Sequence, residues 1–90
     1  MLSLKELNER MSKLSGWSLE DNSITKIYTF DNFKDSIEFI NKLAEEAEKQ
    51  EHHPDIMINF NRVKLKLTTH SEGGLTEKDI KLAEEIDKID

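Results

Sequence analysis

Val63, Leu65 and Leu67 alternate with Lys64, Lys66 and Thr68, the cleanest two-residue period in the chain. That period sends successive side chains to opposite faces of a strand, so the segment predicts a strand with one buried face and one wet face. Asp55 to Phe60 reads as another strand just before it, with Asn61 at the turn. Nearer the N-terminus, the stretch from Ser23 to Phe30 holds Ile24, Thr25, Ile27, Tyr28, Thr29 and Phe30. That density of β-branched and aromatic residues also favours a strand. Trp17 to Glu20 reads as a short strand ahead of it, and Asp21-Asn22 supplies turn chemistry, so the two are expected to pair as a hairpin.

The remaining apolar residues follow a helical period. Ser3-Leu4-Lys5-Glu6 has the form of a capping box, a hydroxyl with an acid three residues on. Leu4, Leu7, Met11 and Leu14 then predict a helix over about residues 4–15, with Gly16 suited to the position just past its end. Asp31 or Asn32 can cap a second helix. Its apolar stripe is Phe33, Ile37, Ile40, Leu43, Ala44 and Ala47, with Phe39 beside it, and Glu45, Glu46, Glu48, Lys49 and Gln50 form the wet face. Pro54 biases His53 away from helical backbone, so the helix stops before it. Thr76-Glu77-Lys78-Asp79 resembles a second capping box with Asp in place of Glu, ahead of Ile80, Ala83, Ile86 and Ile89. The element order is α-β-β-α-β-β-α. It predicts one α+β domain over residues 1–90, a two-layer sandwich of a four-stranded antiparallel sheet with three helices on one face.

Composition narrows what such a domain does. The chain has 90 residues, of which 36% are hydrophobic and 36% charged, which suits a small globular domain rather than a disordered chain. A domain this size buries roughly 60–65% of its unfolded surface, so self-association into a homodimer or homotetramer is expected to supplement a small core. The net charge of −6 argues against nucleic acid and against anionic membrane surfaces as partners. Arg62, Lys64 and Lys66 are the only candidate basic face, and they read as the solvated side of a strand. The absence of cysteine removes disulfides, thiolate nucleophiles and thiolate metal sites. No apolar run approaches the ~20 residues that span a bilayer, and Met1 to Lys5 lacks a secretory pattern, so the cytoplasm is the expected location.

The chemistry-bearing residues concentrate in one part of the chain. All three histidines lie between positions 52 and 70, and imidazole is the side chain whose ordinary pKa sits near neutrality. His52 and His53 follow a helix and precede a strand. As neighbours in extended chain they point to opposite sides, so they are not expected to act as one unit. They read equally well as surface histidines favoured by the helix dipole. His70 ends the fourth strand and shares a face with Thr68, opposite Val63, Leu65 and Leu67. Asp79 at the third helical position satisfies backbone N–H groups whether or not it has a further role. A loop folding back over Gly73-Gly74 would bring it near His70. Glu48 and Glu51 can each orient a histidine. A histidine-only metal site lacks support because neither H-x-H nor H-x-x-x-H spacing occurs. No serine sits in a nucleophile elbow, and Gly73-Gly74 is too short to cradle phosphate. Acid–base work by imidazole remains.

These residues also carry a resemblance. Glu48, then His52-His53-Pro54-Asp55, Phe60-Asn61-Arg62-Val63, Leu67-Thr68-Thr69-His70 and Gly73-Gly74-Leu75-Thr76-Glu77-Lys78-Asp79 resemble the signature of the pterin-4a-carbinolamine dehydratases. Gly16-Trp17 and the segment from Phe30 to Phe33 fit the N-terminal half of that family. The resemblance implies the α-β-β-α-β-β-α sandwich. It also implies dehydration of 4a-hydroxytetrahydrobiopterin to quinonoid dihydropterin, in tetrahydrobiopterin recycling, on a small-molecule pterin with no metal or cofactor. By position, His52 and His70 resemble the acid/base pair, His53 the adjacent pocket histidine, and Asp79 the acid that orients a histidine or the pterin. Glu48, Pro54 and Thr69 resemble substrate-binding positions. Two positions depart from the pattern. Ile56 stands where an aromatic residue is frequent, and Glu72 where some animal members carry a smaller one. The other reading of the same resemblance is a non-catalytic module that binds a pterin, a molybdopterin-like compound or a protein partner.

Overall fold

The computed structural model describes residues 1–89. The elements run α1 (Leu4–Met11), β1 (Ser18–Glu20), β2 (Ser23–Thr29), α2 (Phe33–Gln50), β3 (Asp55–Asn59), β4 (Arg62–Leu67), a 3-10 turn (His70–Glu72) and α3 (Glu77–Ile86). The strands form one antiparallel sheet in the order β1-β2-β4-β3. The expected α+β order is therefore the observed one.

Register decides which face is buried. Ile24, Lys26 and Tyr28 of β2 lie opposite Leu67, Leu65 and Val63 of β4. The three β4 residues are fully buried and share one core with Leu7 of α1, Phe39 and Leu43 of α2, and Ile80, Leu82, Ala83 and Ile86 of α3. All three helices thus cover the same side of the sheet. Its other side is open and carries Thr25, Ile27 and Thr29, then Arg62, Lys64 and Lys66, then Asp55, Met57 and Asn59 in three paired rows.

Three expectations change at the element level. The first helix ends at Met11, with Ser12 as its cap, rather than at residue 15. Gly16 lies beyond it, in the turn into β1, where its φ of +80° is one that side chains resist. In α2 the fully buried stripe is Ser36, Phe39, Leu43 and Ala47, while Phe33 and Ala44 are exposed. The helix carries more apolar residues than one sheet face can cover, and Phe39 packs against Tyr28 and Phe30 with ring centroids 4.5 and 5.2 Å away. Strand β4 stops at Leu67, so His70 opens the 3-10 turn instead of ending the strand.

One charged residue stands on the core face. Lys26 faces inward from β2, and its Nζ lies 2.8 Å from Asp87 Oδ1, just past the end of α3. The same carboxylate accepts hydrogen bonds from Trp17 Nε1 at 2.9 Å and the Ser15 backbone at 3.1 Å. Burial works against the Lys26 charge, but Asp87 and the neighbouring Tyr28 outweigh it and hold the amine above its ordinary value. The amine also sits 4.7 Å from the centre of the Tyr28 ring, where a cation is attracted to the π face. This network clamps the end of α3 to the β1–β2 side of the sheet. Asp87→Ala is expected to cost about 2–3 kcal/mol, because a partly buried ammonium and an indole N–H lose their acceptor together. A thermal melt showing no loss would mean that water replaces the carboxylate at no cost.

Candidate active site

The site is built where α2 ends, β3 begins, β4 ends and α3 begins. At the end of α2, Glu51 takes a left-handed conformation (φ 50°, ψ 40°) that ordinarily selects glycine. The turn lets the His52 N–H reach Ala47 O at 3.1 Å, which reverses the chain and swings His52 back under the helix end. Glu51→Val is expected to destabilise the protein by about 1–2 kcal/mol, since a β-branched side chain resists this conformation. An unchanged melting temperature would mean that the reversal relaxes without the left-handed residue.

The two adjacent histidines have different partners. His52 is nearly buried, and its Nε2 lies 2.5 Å from Asp79 Oδ1. His53 is largely exposed and pairs through Nε2 with Glu48 of the last turn of α2, also exposed. They do not form one unit. Half-buried Pro54 follows and leads directly into β3.

Asp79 is fully buried, yet every oxygen has a partner. Oδ1 faces His52, while Oδ2 accepts the Thr76 N–H at 2.9 Å and the Thr69 hydroxyl at 2.8 Å. The capping box at the start of α3 is formed as its spacing predicts, with the Thr76 hydroxyl accepting from Lys78 N at 3.2 Å. The Thr69 and Thr76 hydroxyls lie 2.8 Å apart. Donor counting orients the network. Thr69 gives its one proton to Asp79, so Thr76 must donate to Thr69. The remaining carboxylate oxygen accepts from His52, which places an N–H at Nε2; in the neutral ring Nδ1 is then the lone-pair acceptor. Arg10 of α1 steadies this corner from outside through a bidentate pair with Glu77, at 2.5 and 2.7 Å. That contact holds the Glu77 carboxyl below its usual range.

His70 follows Thr69 directly. Thr69 is bridged to Gly74 through both backbone groups, at 3.1 and 3.3 Å, which closes the 3-10 turn and projects His70 from it. Gly73 completes the turn at φ +75°. His70 lines a cavity of about 250 Å³ at the end of the open sheet face, together with Ser23, Asp55, Lys66 and Thr68. Thr68 and His70 both line it, although His70 lies past the end of β4. Among the described residues, no hydrogen bond or ion pair joins His70 to His52, His53 or Asp79 directly. The link runs through Thr69, one residue away, which bonds the carboxylate that holds His52. Ser23 was not a sequence candidate. Its hydroxyl is buried beside the His70 cavity without a hydrogen-bond partner among the described residues, and nothing in a serine at the start of a strand signals that.

Comparison with known proteins places the chain in a family. The family model for pterin 4 alpha carbinolamine dehydratase matches residues 1–89. A protein of Sulfolobus acidocaldarius, provisionally named a pterin-4-alpha-carbinolamine dehydratase, is 48% identical over 84 residues, spanning 93% of this chain and 92% of its own. One from Trichodesmium erythraeum under the same provisional name is 48% identical over 86 residues, spanning 96% and 92%. The crystal structure of a transcriptional coactivator/pterin dehydratase from Brucella melitensis superposes with a TM-score of 0.90 at 40% identity, over 94% of this chain and 93% of that one. A pterin dehydratase-like protein identified as a RuBisCO assembly factor in the alpha-carboxysome superposes with a TM-score of 0.64 at 21% identity, covering 79% and 82%, a likeness of fold alone.

Proposed function

The chain belongs to the pterin 4 alpha carbinolamine dehydratase family, and from that premise we propose that it removes water from 4a-hydroxytetrahydrobiopterin to give quinonoid dihydropterin. The observation that carries the reading is the hydrogen-bonded chain from His52 through Asp79 to Thr69, with His70 next in sequence at a cavity mouth. The reaction needs two proton transfers and no redox step. The C4a–O bond breaks as the departing hydroxyl takes a proton and leaves as water. N5 loses its proton, and its electron pair forms the new C4a=N5 double bond. A pair of imidazoles in opposite protonation states supplies both transfers near neutral pH.

The hydrogen-bond network supports a division of labour. With its proton on Nε2 and held by Asp79, His52 presents Nδ1 as the base for N5–H. The buried carboxylate faces the positive charge that forms when Nδ1 accepts a proton, much as in a catalytic triad. His70, exposed at the cavity, is the acid for the leaving hydroxyl. His53, paired with Glu48 on the exposed rim, serves binding, together with Pro54. Asp79 and Thr69 are buried and act through His52 as positioning residues. The open substrate cavity and the exposed His70 suit a diffusible small molecule. Among the described residues, no helix is long and apolar enough to cross a membrane.

Stopped-flow ultraviolet absorbance of 4a-hydroxytetrahydropterin, generated in situ, tests the proposal. Acceleration over spontaneous dehydration is the expected result. Binding of a pterin without acceleration would instead make the protein a non-catalytic pterin-binding module.

A further inference from the structure

The His70 cavity does not stand alone. It shares Asp55 and Lys66 with a second cavity of about 300 Å³, which also includes Glu20, Ile56 and Lys64. The second shares Met57 and Lys64 with a third of about 150 Å³, which ends at Ile27, Asn59 and Arg62. Each is at or below the lower end of small-ligand sites, roughly 300 Å³, and neighbouring ones share lining residues. The row follows β4 from His70 back to Arg62 along the open sheet face. Lys66, Lys64 and Arg62 occupy alternate positions, about 7 Å apart at the rise of a strand.

This stripe is unusual for its charge balance. It sets three cations side by side on a chain of net charge −6. Lys64 has only a long ion pair, 3.7 Å from Glu20. Arg62 and Lys66 have no hydrogen bond or ion pair among the described residues, although Lys66 lies opposite Asp55 in register. The cations flank an apolar floor, with Ile27 51% and Met57 68% exposed. At the other end, the buried Ser23 hydroxyl lacks a partner beside His70. Cations left unpaired beside apolar surface suit a ligand with a carbon chain and an anionic end, which the guanidinium and ammonium groups would hold by charge-assisted hydrogen bonds.

We infer that this site prefers, over the neutral form, a pterin whose side chain ends in an anion, a phosphate or a carboxylate. The ring lies at His70 and the side chain follows the open sheet face towards Lys66, Lys64 and Arg62. The inference rests on the dehydratase reading of the site and adds its specificity. It explains why the basic stripe begins at the catalytic cavity rather than elsewhere on the sheet.

The test is calorimetric binding, at low and moderate salt, of three stable 7,8-dihydropterins. One carries a neutral polyhydroxypropyl side chain, one the same side chain as a phosphate monoester, and one a terminal carboxylate. The phosphate or carboxylate form, or both, is expected to bind at least about tenfold tighter than the neutral form, with the preference shrinking as salt rises. Whichever anion shows the preference identifies the source. Lys66→Gln and the double variant with Lys64→Gln are expected to bring the ratio towards one. Lys88→Gln, the same charge change on the helix layer, is expected to leave it. Equal binding of all three pterins to the wild-type protein overturns the inference, as does a preference that survives the double variant. If all three pterins bind equally and the 4a-hydroxy form of the neutral one is dehydrated, only the anion inference has failed. If no pterin binds and no dehydration is accelerated, the dehydratase reading fails with it.

Discussion

His70→Ala is expected to reduce the catalysed dehydration rate by about 10²–10⁴-fold while changing stability by less than about 0.5 kcal/mol. The two halves of this prediction have separate origins. His70 is exposed on the 3-10 turn, and among the described residues no hydrogen bond or ion pair to its side chain is lost on truncation. The turn is held by backbone bonds of Thr69, Gly73 and Gly74, which alanine leaves in place. The chemistry has no such reserve. Without an imidazole at the cavity mouth, the leaving hydroxyl takes its proton from water. Stopped-flow absorbance measures the rate and a thermal melt the stability. A variant with full turnover would remove His70 from the mechanism. One that loses activity by unfolding would show instead that the turn depends on the ring.

Asp79→Ala reverses the pattern, with an expected stability loss of about 3–5 kcal/mol. Three donors lose their acceptor at once: His52 Nε2, the Thr69 hydroxyl and the Thr76 N–H. The carboxylate is fully buried, so its removal leaves these donors short of an acceptor in a poorly hydrated place. A domain with about 5–15 kcal/mol of total stability is left marginal by such a loss. Asp79→Asn separates positioning from folding. The amide fills the same volume and keeps one oxygen for Thr69 and Thr76, but turns its NH₂ towards His52. His52 must then accept at Nε2 and carry its proton on Nδ1, the nitrogen assigned as the base. The variant is expected to melt within about 1–2 kcal/mol of wild type and to lose about 10²-fold or more in kcat, with KM changed little. An unchanged kcat would show that the carboxylate does not select the His52 tautomer.

The distribution of polar and apolar positions carried most of the fold. The alternation through Val63, Leu65 and Leu67 defined the buried face of β4, and the two capping boxes marked the starts of α1 and α3 at the right residues. Such signals are legible because they depend on neighbours within a few positions. The early end of α1 was less so: nothing local in Ser12 to Ser15 forbids another turn, and the chain leaves the helix because Trp17 and Ser15 are drawn to Asp87. The Phe39-centred stripe of α2 likewise reflects which of two adjacent apolar seams meets Tyr28 and Phe30.

For the site, the sequence by itself determined the chemical inventory: three imidazoles, no thiol, and an acid at the third position of the last helix. It also led to the expectation that His52 and His53 do not act as one unit, and the two meet different partners. Only the tertiary structure decided that Asp79, sufficient as a helix cap, also holds His52, a residue 27 positions away, with Thr69 on its other oxygen. It alone showed that Lys26 lies on the core face and is answered by Asp87, and that Arg62, Lys64 and Lys66 line a row of neighbouring cavities of which the last holds His70. The reason is physical: periodicity reports which way a side chain faces along its own element. The partner it meets across the fold is set by how the β2–β4 register and the turn at Glu51 bring distant elements together.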